Sequence, residues 1–511
     1  LILAPVRLLA ADIVCRTDIP VKIMASTLLW KIGRRDVSFS GGFSARLGEV
    51  VHGEMARWGV PGIAVGVLQD GELLTEGYGV ESIETGLPLR PESLFRVGSV
   101  SKPFTATLVM TLVDDGLIEL DRPVVHYYPD LRLADPEARE TITMRHLLSH
   151  QSGLTCEIDV PLASYGTGDD ALFRLVEDFP RLRQWYRPGE LWAYSNSSFW
   201  LAGAVVAKVL GVPFEDAMRD RVFQPLGMGR SCFFAHEAIF YPAALGHWQV
   251  RPGSTEHRVA RPYLFPRSRV PSGGVVSNTA ELLEFAALHM TGGSLGQVRV
   301  LSAEAVEEMQ MIQTAETTPL DQGDGWLLET AKQGVGWWMG EIEGRRIIGH
   351  GGTFGGFEAD LEVLPDLGVA LAILTNSGGL GHVSIRNIRA WLLDECCGVR
   401  YQDPTPIAHS GGPFAGYAGR YLQPDTGMVL TVSEAKEGLR GVVTHEYGTP
   451  DAFDELPVLY RPISDHAFVV RDDSERAGYS LVVIPDGTGK PRFVRFHGYI
   501  AEPLVDEGAA A

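Results

Sequence analysis

The run from Phe104 to Val113 is apolar on almost every side, with Phe104, Leu108, Val109, Met110, Leu112 and Val113 spread around the helix it would form. A helix with no polar face has to be surrounded, so the other elements of this chain must be laid around it. It opens with Gly98-Ser99-Val100-Ser101-Lys102-Pro103. Ser99 and Lys102 are three apart, which puts hydroxyl and amine on one face, a turn from each other. A lone serine is a poor nucleophile, and a lysine becomes a useful base when burial lowers its pKa. A core helix supplies that burial, and its N-terminus supplies free N–H groups where negative charge would develop. The same S-x-x-K spacing recurs at Ser433-Glu434-Ala435-Lys436, among charges between two β-like runs, where it reads as a hairpin turn. Spacing alone therefore does not identify a site, and partners must come from elsewhere in the chain.

Taken in order, residues 1–40 show no clean period and read as an N-terminal extension. A helix with Leu47, Val51, Met55 and Trp58 on one face stops at Pro61-Gly62. Two strands, Ile63 to Leu68 and Leu73 to Tyr78, flank the hairpin signal Gln69-Asp70-Gly71. Leu94 to Val97 leads into the Ser99 helix, which Asp114-Asp115-Gly116 ends. From about 117 to 290 the pattern is mainly helical, with Thr143 capping Met144 to Ser149, a helix from Ser198 to Leu210 closed by Gly211, and Asn278 with Glu281 opening a helix to His289. Strand character returns at Gly334 to Gly340, Arg345 to Ile348, Glu358 to Val363 and Val369 to Thr375, before a helix near Val383 to Leu393. The expected fold class is α/β (α+β): one antiparallel sheet joining the late strands to the early hairpin, flanked by the first and last helices, with a mainly helical insert. This domain spans 41–401, and a Pro/Ser/Gly-rich linker covers 402–413. Short β-like runs over 414–511 predict a small C-terminal antiparallel β-barrel or sandwich.

At 511 residues with 45% hydrophobic content the chain is long enough for more than one well-cored module. A net charge of −20 argues against nucleic acid and anionic membranes as partners, since both need basic surface. Five cysteines, Cys15, Cys156, Cys232, Cys396 and Cys397, are few, odd in number and in no C-x-x-C pattern. They read as free thiols, which favours a cytoplasmic over a periplasmic or secreted location without fixing either. No stretch of 18 uncharged apolar residues exists, so no transmembrane segment is expected. The apolar start, Leu1 to Val14, is broken by Pro5, Arg7 and Asp12 and reads as an extension rather than a signal peptide.

Two stretches can partner the serine. Tyr194-Ser195-Asn196 is the sole Y-x-N, in a loop running into the Ser198 helix. A phenol near a buried ammonium ionises more easily and can take the serine proton, while an amide two residues on can hold both the lysine and a substrate carbonyl. The bland alternative is a half-buried tyrosine beside a capping asparagine. His350-Gly351-Gly352-Thr353 follows an apolar strand, and glycines at a strand end let a ligand approach backbone N–H groups that complete an oxyanion hole. Lys332-Gln333-Gly334 and His409-Ser410-Gly411 share the cation-x-Gly pattern but rank below it, one lying before its strand and the other in the linker.

Together these pieces resemble the serine β-lactamase and penicillin-binding-protein superfamily, whose signature is S-x-x-K, then Y-x-N or S-x-N, then K-T-G or a variant. The order here is Ser99/Lys102, Tyr194/Asn196, His350/Gly352. Arg145-His146-Leu147-Leu148-Ser149-His150-Gln151-Ser152-Gly153, Pro271-Ser272-Gly273-Gly274 and Gly349-His350-Gly351-Gly352 are similar to the class C β-lactamase, D-aminopeptidase and family VIII esterase branch, over about residues 43 to 396. The downstream module is similar to lipocalin-like domains appended to some members. His350 stands where β-lactamases carry lysine; being only partly charged near neutral pH, it anchors a carboxylate less firmly.

The resemblance implies an acyl-enzyme hydrolase of small esters or amides, of esterase or D-amino-acid peptidase type, with a β-lactam as a further candidate substrate. Ser99 would attack, Lys102 and Tyr194 would share its proton, and the N–H groups of Ser99 and Thr353 would hold the oxyanion. Asn196 would orient Lys102 and substrate, and His350 would position Tyr194 or the leaving side. No cofactor or metal is expected. The partner is a small-molecule or peptide substrate, and the C-terminal module can shape the cleft or mediate a homo-oligomer. Two rivals remain: a non-catalytic sensor acylated at Ser99 without turnover, and a zinc site built on His146 and His150 at i, i+4, for which helix packing is the better reading.

Overall fold

The computed structural model describes residues 39, 41–158, 160–161, 163–251, 254–314, 332–400, 405–407, 414–424, 427–445, 457–470, 479–496 and 498–504. The N-terminal extension with Cys15, most of the linker and His409 lie outside them.

The chain begins with α1 (Gly41–Trp58) and the hairpin β1 (Gly62–Gln69) and β2 (Glu72–Gly79). Its two-residue turn puts both Asp70 (φ 53°) and Gly71 (φ 85°) in the left-handed region, the geometry that matches strand twist. A 3-10 turn, Gly98–Val100, leads into α2 (Ser101–Asp114), in which every residue from Ser101 to Leu112 is buried. Each such Leu, Val or Phe contributes about 1.5–3 kcal/mol. The helical insert includes α3 (Asn196–Leu210) and α4 (Thr279–Met290). After it come β3 (Lys332–Gln333), β4 (Trp338–Ile342), β5 (Arg345–Phe354), β6 (Phe357–Leu364), β7 (Val369–Thr375) and α5 (Gly381–Cys397). The seven strands form one sheet in the order β2-β1-β7-β6-β5-β4-β3, every pair antiparallel. The early hairpin thus joins the late strands through β1 and β7, with Ile63 opposite Thr375 and Gln69 opposite Val369.

Alternation along β1 separates two cores. Ile63, Val65 and Val67 face α1 and α5, packing with Leu47, Val51, Ile388 and Leu392. Ala64 belongs to the larger cluster around α2, α3 and α4. Between β6 and α5 lies a polar inclusion: the buried Arg389 guanidinium sits 3.3 Å from Asp360 and 3.2 Å from Glu362. Burial pushes the Asp360 carboxyl up, and Arg389 pulls it back.

Eight further strands, β8 (Gly419–Gln423), β9 (Met428–Ala435), β10 (Gly438–His445), β11 (Val458–Pro462), β12 (Ala467–Val470), β13 (Ser480–Pro485), β14 (Pro491–Phe496) and β15 (Tyr499–Pro503), form a closed barrel. Of the two expected forms, the barrel is the one adopted, because β15 returns to pair with β8 at Tyr421 and Leu422. The second S-x-x-K copy is the β9–β10 hairpin, with Ser433 and Lys436 exposed.

Several sequence expectations need correction. The strand expected over 334–340 is broken: 334–337 form a turn, and Lys332 lies in β3 rather than before it. The helix from Met144 stops at Leu148, so His146 and His150 do not share it. His146 closes a capping box, its Nδ1 accepting from Thr143 N at 3.3 Å. Cys156, Cys232, Cys396 and Cys397 are free thiols. No single helix among the described residues is long and apolar enough to cross a membrane; the bent pair 196–210 and 214–223 has the composition, but its residues are largely core.

Candidate active site

Ser99 sits half-buried in the 3-10 turn, and Lys102 is fully buried one turn later at the head of α2. The Lys102 amine lies 3.1 Å from Ser99 Oγ, 2.6 Å from Asn196 Oδ1 and 2.9 Å from Ser272 O. A neutral amine has two N–H donors and one lone pair. The two carbonyl oxygens take the donors, which leaves the lone pair for the serine proton. Burial pushes the Lys102 pKa down to about 7, with Cys156 and Glu157 pushing back up, so the unprotonated form is well populated at neutral pH.

Tyr194 and Asn196 come from the entry to α3, where the Ser195 side chain accepts from Ser198 N and caps the helix. The Lys102 amine lies 4.6 Å from the Tyr194 ring centroid. Asn196 Nδ2 donates to Glu157 Oε1 at 2.5 Å, which turns the amide oxygen towards the lysine.

The third stretch lies on β5. Gly352 and Gly98 face each other: a Cβ on Gly352 would stand 2.0 Å from Val97 O and 2.8 Å from Ser99 N, and one on Gly98 would stand 2.7 Å from Thr353 N. Only glycine on both sides allows this approach, and it brings Thr353 N beside the turn that carries Ser99. Thr353 Oγ1 is hydrogen-bonded to the Glu358 carboxylate. His350 is fully buried, stacked on Trp338 at 4.1 Å and 6.4 Å from the Tyr194 ring. Its Nδ1 donates to Gly351 O at 2.6 Å. Burial and the Lys102 charge hold it well below the ordinary histidine value. The imidazole is therefore neutral at neutral pH, not partly charged as its residue type suggested.

Three further contributors surround the cluster, of which Glu157 with Arg269 gave no signal in the sequence. His150, with φ 58°, stacks on Tyr194 at 4.6 Å, and its Nδ1 accepts from Ser195 N at 3.0 Å. Burial first, then Lys102 and His350, keep it neutral. Glu157 ties Asn196 to Arg269, whose Nη1 donates to Glu157 Oε2 at 3.0 Å. The barrel also takes part: Tyr194 N donates to Gly498 O at 3.0 Å, and Tyr499 meets the Tyr194 ring edge-to-face at 5.9 Å. Buried Arg495 donates to Trp192 O at 2.8 Å, Arg183 pairs with Glu502 at 2.6 Å, and Trp185 packs against Phe493. The Y-x-N pattern and an expected asparagine cap were the local signals at this loop; the cap falls on Ser195 instead, and the loop's pairing with residue 150 and with the barrel is long-range. A cavity of about 440 Å³ lined by Phe223, Cys232 and Tyr241 shares no lining residue with this cluster.

A serine against a desolvated lysine, beside a tyrosine ring and a glycine-lined strand, has the make-up of a serine hydrolase whose base is an amine. Comparison with known proteins agrees. The family model described as Beta-lactamase matches residues 47–395, and the chain belongs to that family. Penicillin-binding protein 4 of Amycolatopsis lactamdurans is 35% identical over 366 residues, covering 70% of this chain and 92% of that one. The D-aminopeptidase of Gluconobacter oxydans is 27% identical over 409 residues, covering 78% and 70%. The crystal structure of SurE with D-Leu superposes with a TM-score of 0.68 at 25% identity, covering 91% of this chain and all of that one, barrel included. The protein is a serine hydrolase of the β-lactamase-related type.

Proposed function

We propose that the protein cleaves a small ester or amide of a D-configured amino acid or peptide through an acyl-enzyme on Ser99. The observation that carries the reading is the geometry at Lys102: a buried amine within hydrogen-bond distance of Ser99 Oγ, with two carbonyl oxygens as its other partners. Ser99 gives its proton to Lys102, with the Tyr194 phenol alongside, as its oxygen bonds to the substrate carbonyl carbon. The N–H groups of Ser99 and Thr353 take the oxyanion. The proton then passes to the leaving nitrogen or oxygen as its bond to carbon breaks. Water releases the acyl group by the same steps in reverse.

Two observations support the substrate class. The neutral His350 offers no fixed positive charge for a carboxylate, which disfavours β-lactams carrying one. The relatives named for a D-amino-acid activity or bound to D-Leu share the fold over most of this chain. The test compares p-nitrophenyl esters, D- and L-alanyl anilides and a chromogenic cephalosporin, with Ser99→Ala as control. Turnover of the D-anilide or the ester, and loss of fluorophosphonate labelling in Ser99→Ala, are expected. Labelling retained in that variant would refute the nucleophile, and stoichiometric acylation without steady turnover would make the protein a sensor.

A further inference from the structure

The Lys102 amine is the hub of a closed ring of hydrogen bonds. One acceptor, Asn196 Oδ1, belongs to an amide whose Nδ2 is held by Glu157, and Glu157 is held by Arg269. The other acceptor, Ser272 O, belongs to a residue whose hydroxyl donates to Arg269 O at 3.0 Å and accepts from Trp200 Nε1 at 2.8 Å. The Arg269 guanidinium also lies over the Trp200 ring at 5.0 Å and donates to Ile158 O at 3.3 Å. Both oxygens that define the lysine's orientation thus trace back to one arginine. Glu157 and Arg269 are mostly covered, with side chains 23% and 14% exposed, so their charges are weakly screened.

We propose that Glu157 and Arg269 are positioning residues for Lys102: the carboxylate turns the Asn196 amide oxygen towards the amine, and the guanidinium offsets the carboxylate's charge so that the amine stays unprotonated. The inference rests on the reading of Ser99 as nucleophile and Lys102 as its base. An asparagine amide presents an oxygen at one end and N–H donors at the other. An acceptor fixed on its nitrogen side therefore decides which end meets the lysine. An N–H end facing Lys102 would compete for the lone pair that the serine proton needs. A carboxylate this near also favours ammonium, and an unopposed Glu157 would undo what burial achieves.

The titratable and charged groups around Lys102 come from four places. The 150–157 segment supplies His150, Cys156 and Glu157, the head of α3 supplies Tyr194, β5 supplies His350, and Arg269 acts through Glu157. Burial holds the two imidazoles neutral. Glu157 is the carboxylate that acts on the lysine, and Arg269 is the cation that answers it.

Glu157→Gln keeps an amide acceptor for Asn196 and removes the negative charge, so the acid limb of the rate profile should move to lower pH. Burial pushes the Glu157 carboxyl up and Arg269 pulls it back, so Arg269→Gln should move that limb to higher pH where Glu157 stays ionised and to lower pH where it takes a proton. Each displacement should be about one pH unit, about tenfold in rate on the flank. The double variant should return close to the wild type. Glu157→Leu, with no acceptor for the amide, should lower the plateau rate by about tenfold.

The readout is the rate of fluorophosphonate labelling against pH, with melting temperatures confirming that each variant is folded. In folded variants, an unmoved limb in Glu157→Gln or an unchanged plateau in Glu157→Leu overturns the positioning role while labelling is still lost in Ser99→Ala. Labelling that survives Ser99→Ala overturns the reading of the site instead, and the positioning role with it.

Discussion

Replacing Gly352 by alanine puts a methyl carbon 2.0 Å from Val97 O, 2.8 Å from Ser99 N and 3.0 Å from Val100 N. All three neighbours are backbone, so no side chain can swing aside. Carbon and oxygen do not approach closer than about 3 Å in packed protein, so β5 and the Ser99 turn must part by about 1 Å. Overpacking of this kind costs about 1–3 kcal/mol of stability. On the proposed mechanism the kinetic cost is larger, because the movement would part Thr353 N from Ser99 N. A misplacement of about 1 Å, or loss of one oxyanion donor, lowers the rate by about 10²-fold. The assay is kcat/KM on whichever chromogenic ester or anilide the wild type turns over, with labelling rate and melting temperature measured on the same preparation. The expected result is a drop of about 10²-fold in a protein that still folds. A variant that keeps kcat/KM within about threefold would refute the claim that this close approach builds the oxyanion site.

The remaining expectations concern protons, the buried ion cluster and the barrel. The proposed mechanism uses the unprotonated amine, so kcat/KM should rise with pH through about 7, the Lys102 value, and fall away below it; a pH profile flat from 5 to 8 would remove Lys102 as base. Arg389→Met removes the cation beside Asp360 and Glu362 and should cost about 3–5 kcal/mol in urea unfolding, recovered in part at low pH as Asp360 protonates. Arg495→Leu leaves the Trp192 carbonyl unpaired at about 1–3 kcal/mol, read as faster hydrogen exchange in residues 183–195. Tyr499→Ala removes an edge-to-face contact on Tyr194 worth about 0.5–1.5 kcal/mol and should change discrimination among acyl groups more than it changes stability.

Local pattern carried much of the architecture. The largely apolar α2, the Asp70-Gly71 turn and the uninterrupted Val369 to Thr375 strand all follow from neighbours a few residues apart, and the structure forms each of them. The approach of Ser99, Lys102, Asn196 and Gly352 could be inferred because each residue type is unusual in its setting. Glu157 and Arg269 gave no such signal, and His150 stood out only within the 145–153 motif and as a rival zinc ligand: an acid in a loop and an arginine two residues before a proline are ordinary in isolation. Their importance lies in pairings across 45, 39 and 112 residues. Strands β11 and β15 passed unnoticed for a related reason. Five residues each, carrying Pro462 and Pro503, they are fixed by barrel closure rather than by alternation.

The backbone bond from Tyr194 to Gly498 joins the loop bearing the phenol to a turn more than three hundred residues further along. Whatever shifts that turn reaches the phenol through its own backbone rather than through the wall of the pocket, so the barrel's last hairpin and the Tyr194 loop move as one piece.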